Sequence, residues 1–369
     1  MRSDALSLKD KLSALSGNLL FIAFCLCFIG VILLYSAANG NMDPWASRQL
    51  QTIIIFIPLM LLLMLVDLRV LHDFSYHFYF LCLILLVVAE ILGHKAMGAQ
   101  RWIRLGPFNL QPSEITKIAV ILVLSRYYHN LPTQSIGKIS ALIQPIILVL
   151  LPAILILKQP NLGTTMLILL TAATMFFVAG VRKWKFILVA VLAIGTTPII
   201  WHKMHDYQKQ RVLTFLDPER DPLGKGYNIL QSKIAVGSGG MTGKGFLNGT
   251  QSQLNFLPEK HTDFIFTLLA EEFGFVGCVM VMCLLYALIL YGYYVAVNAR
   301  LQFTRLLGVG VASIIFFQSF INIAMISGVL PVVGLPLPFI SYGGSNLLAM
   351  LMALGILMNA YINISVDRL

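Results

Sequence analysis

Charge is scarce in this sequence. Lys, Arg, Asp and Glu make up 11% of 369 residues, and only 16 of them are acidic. A soluble domain carries about 25% charged residues, so a water-facing globular plan is excluded, and so is a charge-rich disordered chain. Cysteine is also sparse. Cys25, Cys27, Cys82, Cys278 and Cys283 all lie inside apolar runs, with no His or Cys at ligand spacing, which excludes a disulfide framework and a Cys-built zinc site. We find no convincing internal repeat. One glycine-rich stretch, Gly239 to Gly245, resembles a phosphate loop but fails the pattern, because position 238 is Ser238 and Lys244 is followed by Gly245. No nucleotide site is assigned. The first apolar run, near 18–37, is too long for a signal-peptide core and has no convincing small-residue cleavage site, so we expect it to stay in the mature protein.

What is present is apolar length. Hydrophobic residues form 58% of the chain and the mean hydropathy is +0.83. Repeated apolar runs predict an all-α polytopic membrane protein. We expect ten transmembrane helices, near 18–37, 50–66, 76–93, 112–126, 139–157, 162–180, 184–201, 263–296, 304–327 and 343–365. The chain reads as one membrane domain, 1–369, with a large loop, 202–262, between the seventh and eighth spans. The eighth span is over-long. Thirty-four residues at a rise of about 1.5 Å would reach about 51 Å, so its start should lie above or within the outer leaflet, polar residues facing a cavity.

The net charge of +10 does not call for nucleic acid. Arg2, Lys9, Lys11, Arg69, Arg126, Lys138, Arg182, Lys183, Lys185, Arg300, Arg305 and Arg368 fall in segments on one side, and fewer, Arg48, Lys95, Arg101, Arg104 and Lys158, in short loops on the other. By the positive-inside rule both termini are cytoplasmic and the 202–262 loop is external. Within that loop, Tyr227 to Val236 has the i, i+3, i+4 pattern of a short amphipathic surface helix.

Four stretches could carry chemistry. In the first, Glu259, Lys260, His261, Asp263, Glu271 and Glu272 fall within 14 positions where a polar segment enters an apolar helix. Asp263 reads either as a helix cap, with Thr262 as the alternative cap, or as a reactive carboxylate. Glu271 and Glu272 lie deeper, where an ionisable group faces a cavity or pairs with a base on a neighbouring helix. In the second, Arg101 and Trp102 are an interfacial anchor or a phosphate clamp, and Pro112 opens a helix on which Glu114 and Lys117 share a face. The third is Lys158-Gln-Pro-Asn161-Leu-Gly-Thr164, a turn suited to membrane depth beside a cavity. The fourth, Gly328 to Ser345, holds three prolines and several glycines, reads as a fixed non-helical loop, and offers Ser341 and Ser345 as sugar or phosphate donors.

At these stretches the chain resembles the SEDS family (shape, elongation, division and sporulation), and in particular its elongation branch. The run LPEKHTDFIF from Leu257 to Phe266 and the run ISYGGS ending at Ser345 carry the resemblance most specifically. It implies a peptidoglycan glycosyltransferase that polymerises lipid II into β-1,4 strands on the outer face of the bacterial inner membrane. It also implies a class B penicillin-binding protein as cross-linking partner and no nucleic acid. The family's essential aspartate maps onto Asp263 as general base, and its polar pair onto Glu114 and Lys117. One departure is clear: Asn161 stands where the family usually has aspartate. With Asp263 go Arg101, Glu114, Lys117, Lys158, Asn161, Glu259, His261, Glu271, Ser341 and Ser345 as candidate substrate contacts. The leaving pyrophosphate calls for cations, with Lys117, Arg101 or a divalent ion, Mg2+ or Mn2+, as candidates. A lipid II flippase is the alternative, and an ion-coupled transporter is a third reading.

Overall fold

The computed structural model describes residues 8–96, 99–106, 108–203, 209, 213–214, 217, 225–253 and 259–366. In chain order the helices are α1 (Leu8–Ser13), α2 (Gly17–Ala37), α3 (Ala46–Leu65), α4 (Leu68–Leu92), α5 (Pro112–Asn130), α6 (Ser140–Lys158), α7 (Leu162–Ala179), α8 (Lys183–Lys203), α9 (Lys225–Ser238), α10 (Thr250–Gln253), α11 (Ile265–Asn298), α12 (Gln302–Ile326) and α13 (Gly344–Val366). Eight of them, α2, α3, α4, α6, α7, α11, α12 and α13, are long and apolar enough to cross a membrane. The expected fourth and seventh spans correspond to α5, which carries Glu114, Lys117 and Arg126, and to α8.

Local chemistry sets many boundaries. Ser16 caps α2 by accepting from the Leu19 amide, and Asp67 caps α4 by accepting from the Arg69 amide. Pro112 starts α5 in the first turn, where its missing N–H costs nothing. Gly180, with φ +109°, ends α7 in the left-handed region. The sequence reading contained no strands. Between α4 and α5, however, β1 (His94–Ala96), β2 (Ala99–Leu105) and β3 (Phe108–Leu110) form a small antiparallel sheet in that order. Ser345 ties this sheet to α13: its hydroxyl donates to Asn109 O at 2.9 Å and accepts from Gln111 N at 2.9 Å.

Burial separates centre from rim. The apolar windows of α12 and α13 are 72% and 89% buried, against 28% for α3, so α12 and α13 lie at the centre. Nearly every residue of α5 from Pro112 to Ser125 is buried as well. By contrast, α8 is exposed on every side from Ile187 to Pro198. In lipid there is no hydrophobic gain between helices, so close backbone approach matters more. Where α11 meets α12, a β-carbon on Gly292 would lie 2.9 Å from Gly308 O.

The over-long eighth span is corrected by the structure. Gly274, at φ +62° and ψ −159°, breaks α11 into a short piece, 265–273, and a longer one, 275–298. At about 1.5 Å per residue the second piece spans about 36 Å, a normal crossing length. The break is filled by the glycine-rich stretch before it. Lys244 N and Gly245 N donate to Glu271 O and Glu272 O, both at 3.0 Å, while Phe275 N and Val276 N donate to Gly240 O and Met241 O at 2.9 and 3.1 Å. The carbonyls ending one piece and the amides starting the next are thus satisfied by one loop. This contact is backbone on backbone: a β-carbon on Gly243 would sit 2.1 Å from Glu272 O. The stretch that mimics a phosphate loop is therefore a joint.

Candidate active site

Asp263 lies in a tight turn just before α11. Thr262 N and Phe264 N both donate to Glu259 O, at 3.2 and 3.3 Å. The cap position falls on Phe264, which makes no side-chain capping bond, so neither Thr262 nor Asp263 is the N-cap residue. Thr262 spends its hydroxyl on Glu259 O. The Asp263 carbonyl accepts from Asn322 Nδ2 at 2.9 Å. Its carboxylate faces the loop before α13, where a β-carbon on Gly334 would come 3.4 Å from Asp263 Oδ2.

Aromatic rings hold this turn. His261 stacks on Trp45, with ring centres 4.3 Å apart and planes 10° off parallel, and lies 5.8 Å from the Tyr342 ring. Burial pushes the His261 imidazole down to about 4, with Lys260 beside it adding to the shift. It is therefore neutral at physiological pH, and its Nδ1 is buried without a hydrogen-bond partner. Lys260 is itself buried, which lowers its ammonium below the usual range, and the nearby Glu272 carboxylate opposes that shift. Glu259 contributes its carbonyl to the turn and is half-buried.

A polar spine runs behind the turn through the bundle. Glu114 Oε2 and Lys117 Nζ pair at 2.9 Å, with side chains 5% and 1% exposed. Lys117 Nζ also donates to Gln318 Oε1 at 3.0 Å, and Gln318 Nε2 donates to Pro336 O and Asn346 Oδ1, both at 2.8 Å. Thr164 Oγ1 donates to Glu114 Oε1 at 3.4 Å. Asn161 caps α7 by accepting from Thr164 N, and its Nδ2 lies 3.4 Å from Ser113 Oγ. The turn at 159–161 is thus a capped corner against α5. In this conformation Lys117 is closed to solvent and braces the bundle through Glu114 and Gln318.

The remaining candidates divide. Arg101, on β2, is half-buried. Lys158 is exposed at the end of α6. Ser341 Oγ donates to Thr262 O at 2.7 Å and accepts from Leu337 N at 2.7 Å, pinning the loop to the Asp263 turn. Ser341 and Ser345 thus already have their hydroxyl protons in internal bonds, which makes them braces of the site. Glu271 is satisfied by Lys244 Nζ at 2.8 Å, Gln251 N at 2.9 Å and Thr250 Oγ1 at 3.2 Å, so its basic partner comes from the joint loop and not from a neighbouring helix. Glu272 accepts from Ser36 Oγ on α2. Leu257 and Pro258, like most of 204–224, lie outside the described residues.

Gln318, Asn322, Asn346, Ser36 and Lys244 were missed by sequence reasoning. For two of them a signal existed: Gln318 and Asn322 are amides four apart in an apolar helix, hence on one face.

Fold and site together define a multi-pass membrane protein in which the Asp263 turn is backed by a buried polar spine. The chain belongs to the FtsW/RodA/SpoVE family of cell cycle proteins, which it matches over residues 17–365. It is 42% identical over 349 residues to the peptidoglycan glycosyltransferase MrdB of Escherichia coli K12, covering 94% of this chain and 93% of that one. To the probable peptidoglycan glycosyltransferase FtsW of Geobacter sulfurreducens it is 37% identical over 353 residues, covering 92% and 93%. Among solved structures it superposes with TM-score 0.82 on a chain of a peptidoglycan synthase complex described as coordinating polymerization and crosslinking. There the identity is 31%, covering 95% of this chain and 98% of that one. The rod shape determining protein RodA of Thermus thermophilus superposes with TM-score 0.71 at 27% identity, covering 94% and 96%.

Proposed function

We propose that the chain is a peptidoglycan glycosyltransferase that polymerises lipid II into β-1,4 glycan strands for cell elongation, with Asp263 as general base. One observation carries the reading. Asp263, the residue matching the family's essential aspartate, stands in a braced turn outside the cap position, with its carbonyl and its loop tied to the buried spine.

The chemistry needs one base. The acceptor's GlcNAc 4-hydroxyl attacks the anomeric carbon of a donor sugar α-linked to a polyprenyl pyrophosphate. Asp263 takes the hydroxyl proton as the new bond forms, and the pyrophosphate leaves with its electron pair, inverting α to β. The leaving group needs no proton, unlike the two-carboxylate case of glycoside hydrolysis. Of the two candidate side-chain cations, Arg101 is half-buried and Lys117 is closed to solvent, so Arg101 is the one we assign to meet its charge. Among the described residues no group of three His, Cys, Asp or Glu side chains is placed to hold a metal ion such as Mg2+ or Mn2+.

In this reading α5 and α8 complete ten crossings, both termini are cytoplasmic, and 202–262 is a periplasmic loop of an inner-membrane protein. The likeness to a chain of a polymerizing and crosslinking complex supports a class B penicillin-binding protein as partner. Lipid II given to the purified protein with that partner tests the reading: glycan strands are expected. Movement of lipid II across vesicles without strand formation would favour the flippase instead.

A further inference from the structure

We infer that Asn322, with Gln318 one turn before it on α12, is a positioning residue for this glycan transfer; the inference rests on the function proposed above. Asn322 is fully buried, and its amide donates to Asp263 O at 2.9 Å and to Leu335 O at 2.7 Å. Its Oδ1 is buried without a hydrogen-bond partner. The opposite amide orientation would aim that oxygen at two carbonyls, so the network fixes the assignment. A buried amide with an orphaned oxygen is costly in an apolar helix. What the amide supplies is two donors to two segments that nothing else on α12 joins in this way.

Those segments are the base and the wall it faces. Leu335 adjoins Pro336, whose carbonyl is held by Gln318 at 2.8 Å, and Gln318 in turn is held by Lys117 at 3.0 Å. A continuous line of contacts therefore runs from Glu114 and Lys117 through two amides to the backbone of Asp263. A general base must lie within hydrogen-bond reach of the proton it takes. The Asn322 bridge sets that reach by fixing Asp263 against the 333–338 loop.

The test uses the full chain purified with its partner transpeptidase and lipid II as substrate. In Asn322→Leu, which fills similar space and loses both donors, kcat should fall about 10²-fold, the cost of a misplacement near 1 Å. KM for lipid II should stay within about threefold, since binding is made elsewhere. Asn322→Ala should show the same split. Asn322→Ser, small and with one donor, keeps the test readable if the first two fold poorly, and should give an intermediate kcat. A brace serving folding alone would lower melting temperature and yield while leaving kcat per folded molecule unchanged, and that result overturns the inference. Wild-type kcat in the well-folded Ser variant overturns it too. Absence of strands from the wild type, with a control polymerase active in the same assay, would overturn the proposed function along with it.

Discussion

Asn161 opens α7 with its Oδ1 on the Thr164 amide, a bond that an aspartate makes equally well. Asn161→Asp should therefore change polymerisation by less than about tenfold, or ~1.4 kcal/mol in barrier. Asn161→Leu, which removes the cap, should do more, and equal rates for the two would leave the side chain without a role. The Glu114–Lys117 pair behaves differently, because both members are closed to solvent. Glu114→Gln strands a buried ammonium and should cost about 3–5 kcal/mol, whereas Glu114→Gln combined with Lys117→Met should recover most of it. Melting temperatures in detergent would show the order. At His261 the imidazole is held near 4 against an ordinary value of 6.5. Between those values the unfolded chain takes up a proton that the folded one does not. The contribution of His261 to stability is thus complete above about pH 6.5 and is lost as pH falls towards 4. His261→Phe should flatten that part of the melting profile. Of this residue-scale chemistry, the Glu114–Lys117 pairing and the Asn161 turn were legible, since both follow from spacing of a few residues. Gln318 and Asn322 left only the signal of two amides on one helix face; which groups they join, on α5, on α13 and in loops, was not legible.

At the scale of elements, the joint between the 239–245 loop and α11 is the feature that sequence least revealed. A single glycine in an apolar run says little, and Gly274 reads as an ordinary helical glycine until the loop that fills the break is seen. Its backbone lies where other residues are strained by about 1–3 kcal/mol, and a β-carbon there would lie 2.3 Å from Gly243 N. Gly274→Ala should thus lower the melting temperature and speed proteolysis within 239–249. A melting point and cleavage rate equal to those of the parent would contradict the joint. The joint also explains Glu271 and Glu272, which clamp it to Lys244 and to α2 through Ser36. The strands of 94–110 escaped notice for a related reason. They are short, and much of their pattern is set by docking onto α13 through Ser345.

For the whole molecule, hydropathy alone was enough to read the helical membrane plan, because lipid forces every spanning backbone into internally bonded helices. The function rests on a narrower base: one carboxylate, its braced turn, and the family to which the chain belongs. The most direct test compares wild type with Asp263→Asn, both purified with the class B partner and supplied with lipid II, with folding and partner binding followed in parallel. Asn keeps the shape of the side chain but cannot accept the hydroxyl proton, so strand formation should fall about 10²–10⁴-fold while melting temperature and co-purification stay as in wild type. Near-normal polymerisation by a well-folded Asp263→Asn protein would remove Asp263 as the base and contradict the account.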